Sequence, residues 1–375
     1  MSIRFEFFEA GCGDSILVST EEGTNILIDG GFVDTYNRQI KKRIYKPFKK
    51  NGKKLNLVIL THNDNDHIAG LITLIKEEKK AFVLKKDYQS IIKEIWFNSL
   101  AFNDCKVSEI KTSFNTSKPQ LIEFASLLND KNTYIPFRDT ISTDIDTFKK
   151  PIFVNSDIQL ILLSPNKSKL DNLLDSTDYE GYKEDMEKSF NTSNKQYFSN
   201  DCNKHDIEAL GDEEQNPFEE DTSNPNGSSI AFILIHNEKK YLFLGDAHIS
   251  LISDKLEELK RESKYFNQNG KIEFEFIKLS HHGSKKNLNK RFLNLIDTNN
   301  FIILTNGSQK HHHPDKETLS RIITAKNTSE INFIFNYPTM LKHNDFQNMD
   351  EVKSSKLYNK DYDFNLIYST KYPLD

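Results

Sequence analysis

The sequence predicts an α/β chain built as a layered sandwich, with helices covering two facing sheets. Three observations predict it. The chain opens on short apolar and β-branched runs, IRFEFFEAGCGDSILVST and TNILIDGG, joined by glycine-containing turns as antiparallel strands are. The uninterrupted apolar run LNLVILT then leads into HIAGLITLIKEEKK, where Ile68, Leu71, Ile72 and Ile75 recur at helical spacing. From there strand-like and helix-like runs interleave to the C-terminus, the pattern of helices packed over sheets.

Taken in order, the further strands are KEIWFNS, PIFVNSDIQLILLSP, SIAFILIHNEKKYLFLGD with a hairpin turn near Asn237, IEFEFIKLS, FIILTNG, INFIFNY and FNLIYST. The clearest later helices are SDKLEELKRESKYF and KETLSRIITA. With 375 residues and 37% hydrophobic content, one domain spanning 1–375 has ample apolar material for a core. Residues 80–140, with Tyr88 and Trp96, read as a mixed helical elaboration of it. Residues 166–225 are rich in Asn, Asp, Glu, Ser and Lys and read as a polar, acidic insertion, a poorly ordered and mobile surface excursion with a lid as the lesser alternative.

Composition narrows the function classes. No apolar run reaches the roughly 20 residues of a membrane span, and MSIRFEFFEAGCGDS lacks the layout of a secretion signal, so a cytoplasmic protein is expected. Cys12, Cys105 and Cys202 lie far apart without CxxC spacing, which suggests neither a disulfide framework nor a zinc knuckle. A net charge of −5 argues against a broad basic surface, although a local basic patch fits within that total.

The chemistry concentrates in THNDNDHIAG, a strand-to-helix loop with two histidines and two aspartates in six positions. Imidazole nitrogens and carboxylate oxygens are natural ligands for zinc or manganese. His62, Asp64 and Asp66 lie two apart, so an extended loop projects them to one side, and His67 follows at the helix start. An aspartate capping the helix would account for one of the four, not all. Three later strand ends add donors: LFLGDAH supplies Asp246 as a bridging carboxylate, LSHHGSKKN supplies His281, His282, Gly283 and Ser284, and HHHPDKE supplies His311, His312 and His313. Among the last three, His313 is the preferred functional residue.

These motifs, in this order, resemble the metallo-β-lactamase superfamily, and within it the hydrolase domain of the ComEC competence proteins and their stand-alone relatives. EAGCGDSILV and NILIDGG resemble that group's opening strands, THNDNDHIAG its HxDxDH loop, LFLGDAH its GD strand end, and IKLSHHGSKKN its HHGS motif. The resemblance implies an αββα sandwich with a metal site along one edge of the facing sheets. Most of the superfamily carries HxHxDH, so Asp64 replaces a histidine, which hardens the site and shifts preference toward manganese without excluding zinc. Where a further histidine is common, SNPNGSSIAFIL places Asn226 and Ser229, matching the group's NxxS pattern as substrate-side residues.

The implied cofactors are two divalent ions. His62 and Asp64 would hold one, Asp66 and His67 with a later histidine the other, and Asp246 would bridge them. His281, His282 and His313 all remain candidates for that later histidine, His282 being favoured. The implied reaction is metal-assisted hydrolysis with hydroxide as nucleophile. Asp66 would also orient it, His281 or His313 would protonate the leaving oxygen, and Ser284 with Lys285 or Lys286 would neutralise a phosphate. A DNA-cutting phosphodiesterase is the leading expectation, with nucleic acid as partner and no membrane. The alternatives are hydrolysis of a small ester, lactone or nucleotide, and a non-catalytic module that docks a protein partner through the acidic insertion.

Overall fold

The computed structural model describes residues 2–85, 87–99, 117–130, 135–175, 207–261, 267–307, 313–326, 330–342 and 364–374. Two sheets face each other. The first runs Lys371–Tyr372 (β17), Ile3–Phe7 (β1), Ile16–Thr20 (β2), Asn25–Ile28 (β3), Leu57–Ile59 (β4), Ile95–Trp96 (β5) and Phe137–Arg138 (β6). It is antiparallel from β17 to β3 and parallel from β3 to β6. The second runs Phe364–Tyr368 (β16), Ile331–Phe335 (β15), Asn300–Ile303 (β14), Phe276–Lys278 (β12), Lys239–Phe243 (β10), Ala231–His236 (β9), Gln159–Ser164 (β8) and Ile152–Phe153 (β7). β16 to β10 are parallel, and β10 to β7 antiparallel.

Strand alternation sorts the apolar residues into three buried layers. Ile16, Val18, Ile26 and Ile28 face the second sheet, where Leu160, Phe232, Phe243 and Phe276 meet them. Leu17, Leu27 and Val58 point outward against helix residues Ile68, Leu71 and Ile75. On the other side Ile233, Leu242 and Ile277 pack under Ile249, Ile252, Ile322 and Ile323. Both faces of each sheet are therefore covered, which is why LVIL (57–60) and AFILI (231–235) are apolar at every position rather than at every second one. The layers run helix, sheet, sheet, helix, as the αββα sandwich requires. Phe5 centres the inter-sheet layer, with Tyr241 and Phe276 at centroid distances of 4.6 and 4.9 Å.

Three local readings change. IEFEFIKLS is not one strand: Ile272–Glu273 (β11) pairs with Ile296–Asp297 (β13) in a separate small sheet, and only Phe276–Lys278 joins the main one. Residues 33–51, to which the sequence assigned nothing, are helical throughout, with a π-helical centre Tyr36–Tyr45 between α-helical ends Val33–Thr35 and Lys46–Asn51. Seven lysines and arginines from Arg38 to Lys50 obscure the period there, yet Tyr36, Ile40, Ile44 and Phe48 bury a continuous stripe. The third concerns the polar insertion. Its described ends are ordered as helices Lys167–Asp175 and Ile207–Gly211, and the return stretch packs on the core through buried Ile207 and half-buried Phe218. Residues 176–206 of that insertion, residues 100–116 and 131–134 of the helical elaboration, and His311 and His312 lie outside the described residues. Among the described residues, no helix is long and apolar enough to cross a membrane.

Candidate metal centre

The loop after β4 carries His62 and Asp64, and helix Asn65–Leu84 begins with Asp66 and His67 in its first turn. That helix and the turn after β3 approach closely at Gly70 and Gly30, where a Cβ on Gly70 would lie 1.9 Å from the Gly30 oxygen. Across the sandwich, Asp246 follows β10, and Gly245 before it adopts a left-handed φ of 51°. His281 and His282 follow β12 with φ of 46° and 54°. Two successive non-glycine residues in that region store strain of roughly 1–3 kcal/mol each, and both imidazoles face the cluster as a result.

Asp246 is the hub. Its Oδ2 lies 3.7 Å from His62 Nε2 and 3.9 Å from the Nε2 atoms of His67, His281 and His282. Asp64 Oδ2 stands 3.7 Å from His62 Nε2, and Asp66 Oδ2 stands 3.9 Å from His282 Nε2. These are not hydrogen bonds. Donors bound to one ion at about 2.0–2.2 Å stand roughly 3–3.6 Å from each other, so the cluster needs only a few tenths of an ångström to close on a cation. Two donor triads, His62/His67/Asp246 and Asp66/His67/His282, share His67.

The fit of a cation is tested by what these atoms lack. His62 Nε2, His67 Nε2, Asp64 Oδ1 and Asp246 Oδ1 are buried without any hydrogen-bond partner. Such groups are costly unless something pairs them, and divalent cations would. Each ring's other nitrogen is already engaged. His67 Nδ1 donates to Asp29 Oδ2 at 2.8 Å, His282 Nδ1 to the Leu304 carbonyl at 2.9 Å, and His62 Nδ1 lies 3.1 Å from Thr61 Oγ1. Thr61 Oγ1 itself donates to Asp29, so its lone pair receives the His62 proton. When neutral, all three rings thus hold their proton on Nδ1 and turn a lone pair on Nε2 toward Asp246, the tautomer a metal needs.

Outer residues missed by the sequence reading set this arrangement. Asp29, fully buried, accepts from Thr61 N–H, Thr61 Oγ1 and His67. Asp14 pairs with the buried ammonium of Lys278, which also donates to the Gly245 carbonyl, and Asp14 Oδ1 lies 3.4 Å from His282 Nδ1. Asp221, in the return stretch of the polar insertion, accepts from Asn226 Nδ2 at 2.7 Å and Asn287 Nδ2 at 3.2 Å, and lies 3.4 Å from His281 Nδ1. The available signal for Asp14 and Asp29 was an aspartate beside glycine at a strand end, GCGDS and LIDGG.

The remaining expected residues stand as follows. Asn226 lies between Asp221 and His281 with its Oδ1 unpartnered. Ser229 is fully buried and accepts the Asp246 N–H at 3.2 Å, so it holds that aspartate in place rather than facing substrate. Ser284 is buried and caps the next turn by accepting from Lys286 N–H. The Lys285 ammonium is held by Glu317 at 2.8 Å, and Lys286 is exposed. His313 stacks edge-on to His281 at 5.0 Å, outside both triads, and burial keeps its pKa below the ordinary value.

Without metal, the imidazoles take the cation's place. Burial alone would raise the Asp246 carboxyl, but His281, His282, His67 and His62 together hold it well below the usual range. Burial likewise opposes charge on His67, and Asp29 and Asp246 override it, raising its pKa well above 6.5. His281 is pushed up to about 9 against burial by Asp246 and Asp221. Raised folded pKa values give stability that is complete below the unfolded value near 6.5 and disappears as pH climbs through the folded values. Metal-stripped protein should therefore melt at progressively lower temperature from pH 6.5 to 9, and saturating divalent ion should flatten that slope. Equal slopes with and without metal in a calorimetric pH series would refute the assignment.

Residues 11–109, the stretch holding the loop from His62 to His67, match the profile of the metallo-beta-lactamase superfamily. That match supports superfamily membership. The superfamily consists mostly of metal-dependent hydrolases, and its fold typically binds divalent metals. No curated protein matches the chain. Solved structures similar to it include the metallo-beta-lactamase fold protein YhfI from Bacillus subtilis, at 10% identity and TM-score 0.38, covering 98% of this chain and 97% of that one. A diphosphatase of the PhnP family aligns at 9% identity and TM-score 0.41 over 100% and 98% of the two chains. The short form of human tRNase Z aligns at 11% identity and TM-score 0.35 over 88% and 91%.

Proposed function

We propose that this protein is a metal-dependent phosphodiesterase that cuts nucleic acid, using two divalent ions. The observation that carries the hydrolase reading is the convergence of Nε2 lone pairs from His62, His67 and His282 on Asp246, with Asp64 and Asp66 beside them and four of these donor atoms unpartnered. His62, Asp64 and Asp246 would hold one ion, and Asp66, His67 and His282 the other. The bound ions would supply Lewis acidity toward a phosphoryl oxygen and lower the pKa of water. The chain's own contribution is positional. Asp29, Thr61 and Leu304 fix the ring tautomers, Ser229 and Lys278 fix the backbone around Asp246, and His281, oriented through Nδ1 by Asp221 and Asn287, holds a proton on Nε2 for the leaving oxygen. Nucleic acid as substrate is supported by the resemblance of the ordered motifs to the ComEC hydrolase domain.

One observation favours a second reading, hydrolysis of a small uncharged ester or lactone: the Glu317–Lys285 pair removes the cation expected beside a phosphate. Metal-reconstituted protein incubated with labelled DNA, RNA, a chromogenic phosphodiester and a lactone panel separates the two. Cleavage of lactones alone would replace the phosphodiesterase reading.

The metal preference follows from Asp64, whose buried Oδ1 lacks a partner. Its hard oxygen should make turnover better with manganese than with zinc, and Asp64→His should move the ratio toward zinc. An unchanged manganese-to-zinc rate ratio in that variant would show that Asp64 is not a ligand.

A further inference from the structure

The helical run 33–51 and the turn after it contain an unused feature. Between Val33 and Lys54 stand nine basic residues, Arg38, Lys41, Lys42, Arg43, Lys46, Lys49, Lys50, Lys53 and Lys54, and one acid, Asp34, in a chain whose acids outnumber its bases 55 to 50. A helix face that is merely solvated mixes signs and forms pairs within itself. Here the pair within the helix is Arg38 with Asp34; Lys41 pairs with Glu77, and Arg43 with Glu6. Lys42, Lys46, Lys50 and Lys53 form no ion pair among the described residues, and all four are exposed. Lys42, Lys46 and Lys50 succeed one another at intervals of four, and in the α-helical end the Lys46–Lys50 spacing is one at which like charges destabilise a helix by about 0.2–0.5 kcal/mol. A polyanion laid along the row would relieve that repulsion.

The row has a direction. Its helix begins four residues after Asp29, the carboxylate that holds His67. Phe32, just before the helix, lies against Gly11, and Gly13 lies against Asp66. The Gly30 N–H donates to the His67 carbonyl, and the Gly70 N–H to the Gly31 carbonyl. The helix therefore starts at the rim of the metal cluster and leads away over roughly 25 Å. At its far end it reaches a groove of about 620 Å³ where Arg4, Arg43, Lys53, Lys54 and Lys93 outnumber the two acids of the lining, Glu6 and Glu21. That length covers about seven phosphates of one strand at B-form spacing.

We infer that this face is a track for a polynucleotide backbone, carrying the strand from the metal centre along Lys42, Lys46, Lys50 and Lys53 to the groove of Arg4 and Lys93. The track deepens the phosphodiesterase reading and rests on it for the identity of the polyanion. It reads phosphate spacing rather than base identity, because flexible ammonium groups on an exposed helix contact backbone oxygens without sequence information.

The test measures binding apart from cleavage. Fluorescein-labelled single-stranded DNA is titrated, in chelator and over a potassium chloride series, with metal-stripped full-length protein, with a Lys42→Glu, Lys46→Glu, Lys50→Glu, Lys53→Glu variant, and with a control. The control carries Lys149→Glu, Lys150→Glu, Lys239→Glu and Lys260→Glu, an equal charge change at exposed positions away from the track. Matching melting temperatures establish that each variant folds, and a Lys→Gln set at the four track positions repeats the test without new acids. The track variant should bind at least about tenfold more weakly, with a salt slope shallower by about 3, while the control stays near wild type. Equal weakening of both variants would reduce the effect to net charge and overturn the track. Wild-type binding to phosphatidylserine vesicles but not to DNA would overturn it in favour of a membrane surface. Wild type that binds DNA in this pattern yet cuts no phosphodiester supports the track and removes the catalytic reading. Wild type that cuts phosphodiesters but loses no DNA affinity in the track variant removes the track alone.

Discussion

Asp246→Ala should abolish retention of divalent metal and lower hydrolysis by more than the roughly 100-fold that loss of an outer partner costs. No other side chain in the cluster has an oxygen within 4 Å of four imidazole nitrogens. The consequence for stability is less obvious. Repulsion among Asp64, Asp66 and Asp246 taken alone predicts that removing one carboxylate stabilises the metal-free protein. The geometry reverses that expectation, because Asp246 is surrounded by four imidazoles whose charge holds its pKa well below 3.8 against burial. A depressed carboxylate pKa contributes stability that is present above the unfolded value and lost as pH falls through the folded one. Metal-free Asp246→Ala should thus melt below metal-free wild type at pH 6, and the difference should shrink toward pH 2. Elemental analysis showing full metal content in the variant would remove Asp246 from the centre, and a higher melting temperature at pH 6 would restore the repulsion account.

What could be read from the sequence divides by distance along the chain. His62, Asp64, Asp66 and His67 were legible because a short strand-to-helix loop fixes their relative placement, so local geometry alone predicts convergence. The sandwich was legible because apolar runs uninterrupted by polar positions imply sheets covered on both faces. Lys278 was not legible: the end of IEFEFIKLS reads as a solvated strand end, yet its ammonium is buried and neutralised by Asp14, 264 positions away. Asp221 was hidden in a stretch whose composition suggested a surface excursion, although its return leg folds under His281. The basic helix was hidden in the opposite way, its buried Tyr36, Ile40 and Ile44 masked by the lysines between them. In each case the deciding partner comes from another element, and pattern within one element carries no trace of it.

Asp29 offers the sharpest separation between holding a ligand and being one. Its Oδ1 accepts the Thr61 N–H at 2.8 Å, and its Oδ2 accepts both Thr61 Oγ1 at 2.7 Å and His67 Nδ1 at 2.8 Å. Asp29→Ala leaves those buried donors unsatisfied and places alanine at a φ of 56°, so a loss of at least about 3 kcal/mol is expected in chemical denaturation. Asp29→Asn is the more informative change, since asparagine tolerates that backbone conformation. An amide presents one oxygen where the carboxylate presented two. If its oxygen takes the Thr61 N–H, its NH2 group faces His67 Nδ1 and can only donate. His67 then carries its proton on Nε2 and points an N–H at Asp246 instead of a lone pair. The asparagine variant should keep most of its stability but bind manganese or zinc about 10–100-fold more weakly, as measured by chelator competition. Nitrogen-15 shifts of the His67 ring in metal-free protein, recorded at a pH above its raised pKa so that the ring is neutral, should report the exchange of tautomers. Wild-type metal affinity in Asp29→Asn, with the His67 proton still on Nδ1, would mean that the neighbouring Thr61 hydroxyl at 3.4 Å, rather than the carboxylate, sets the ring.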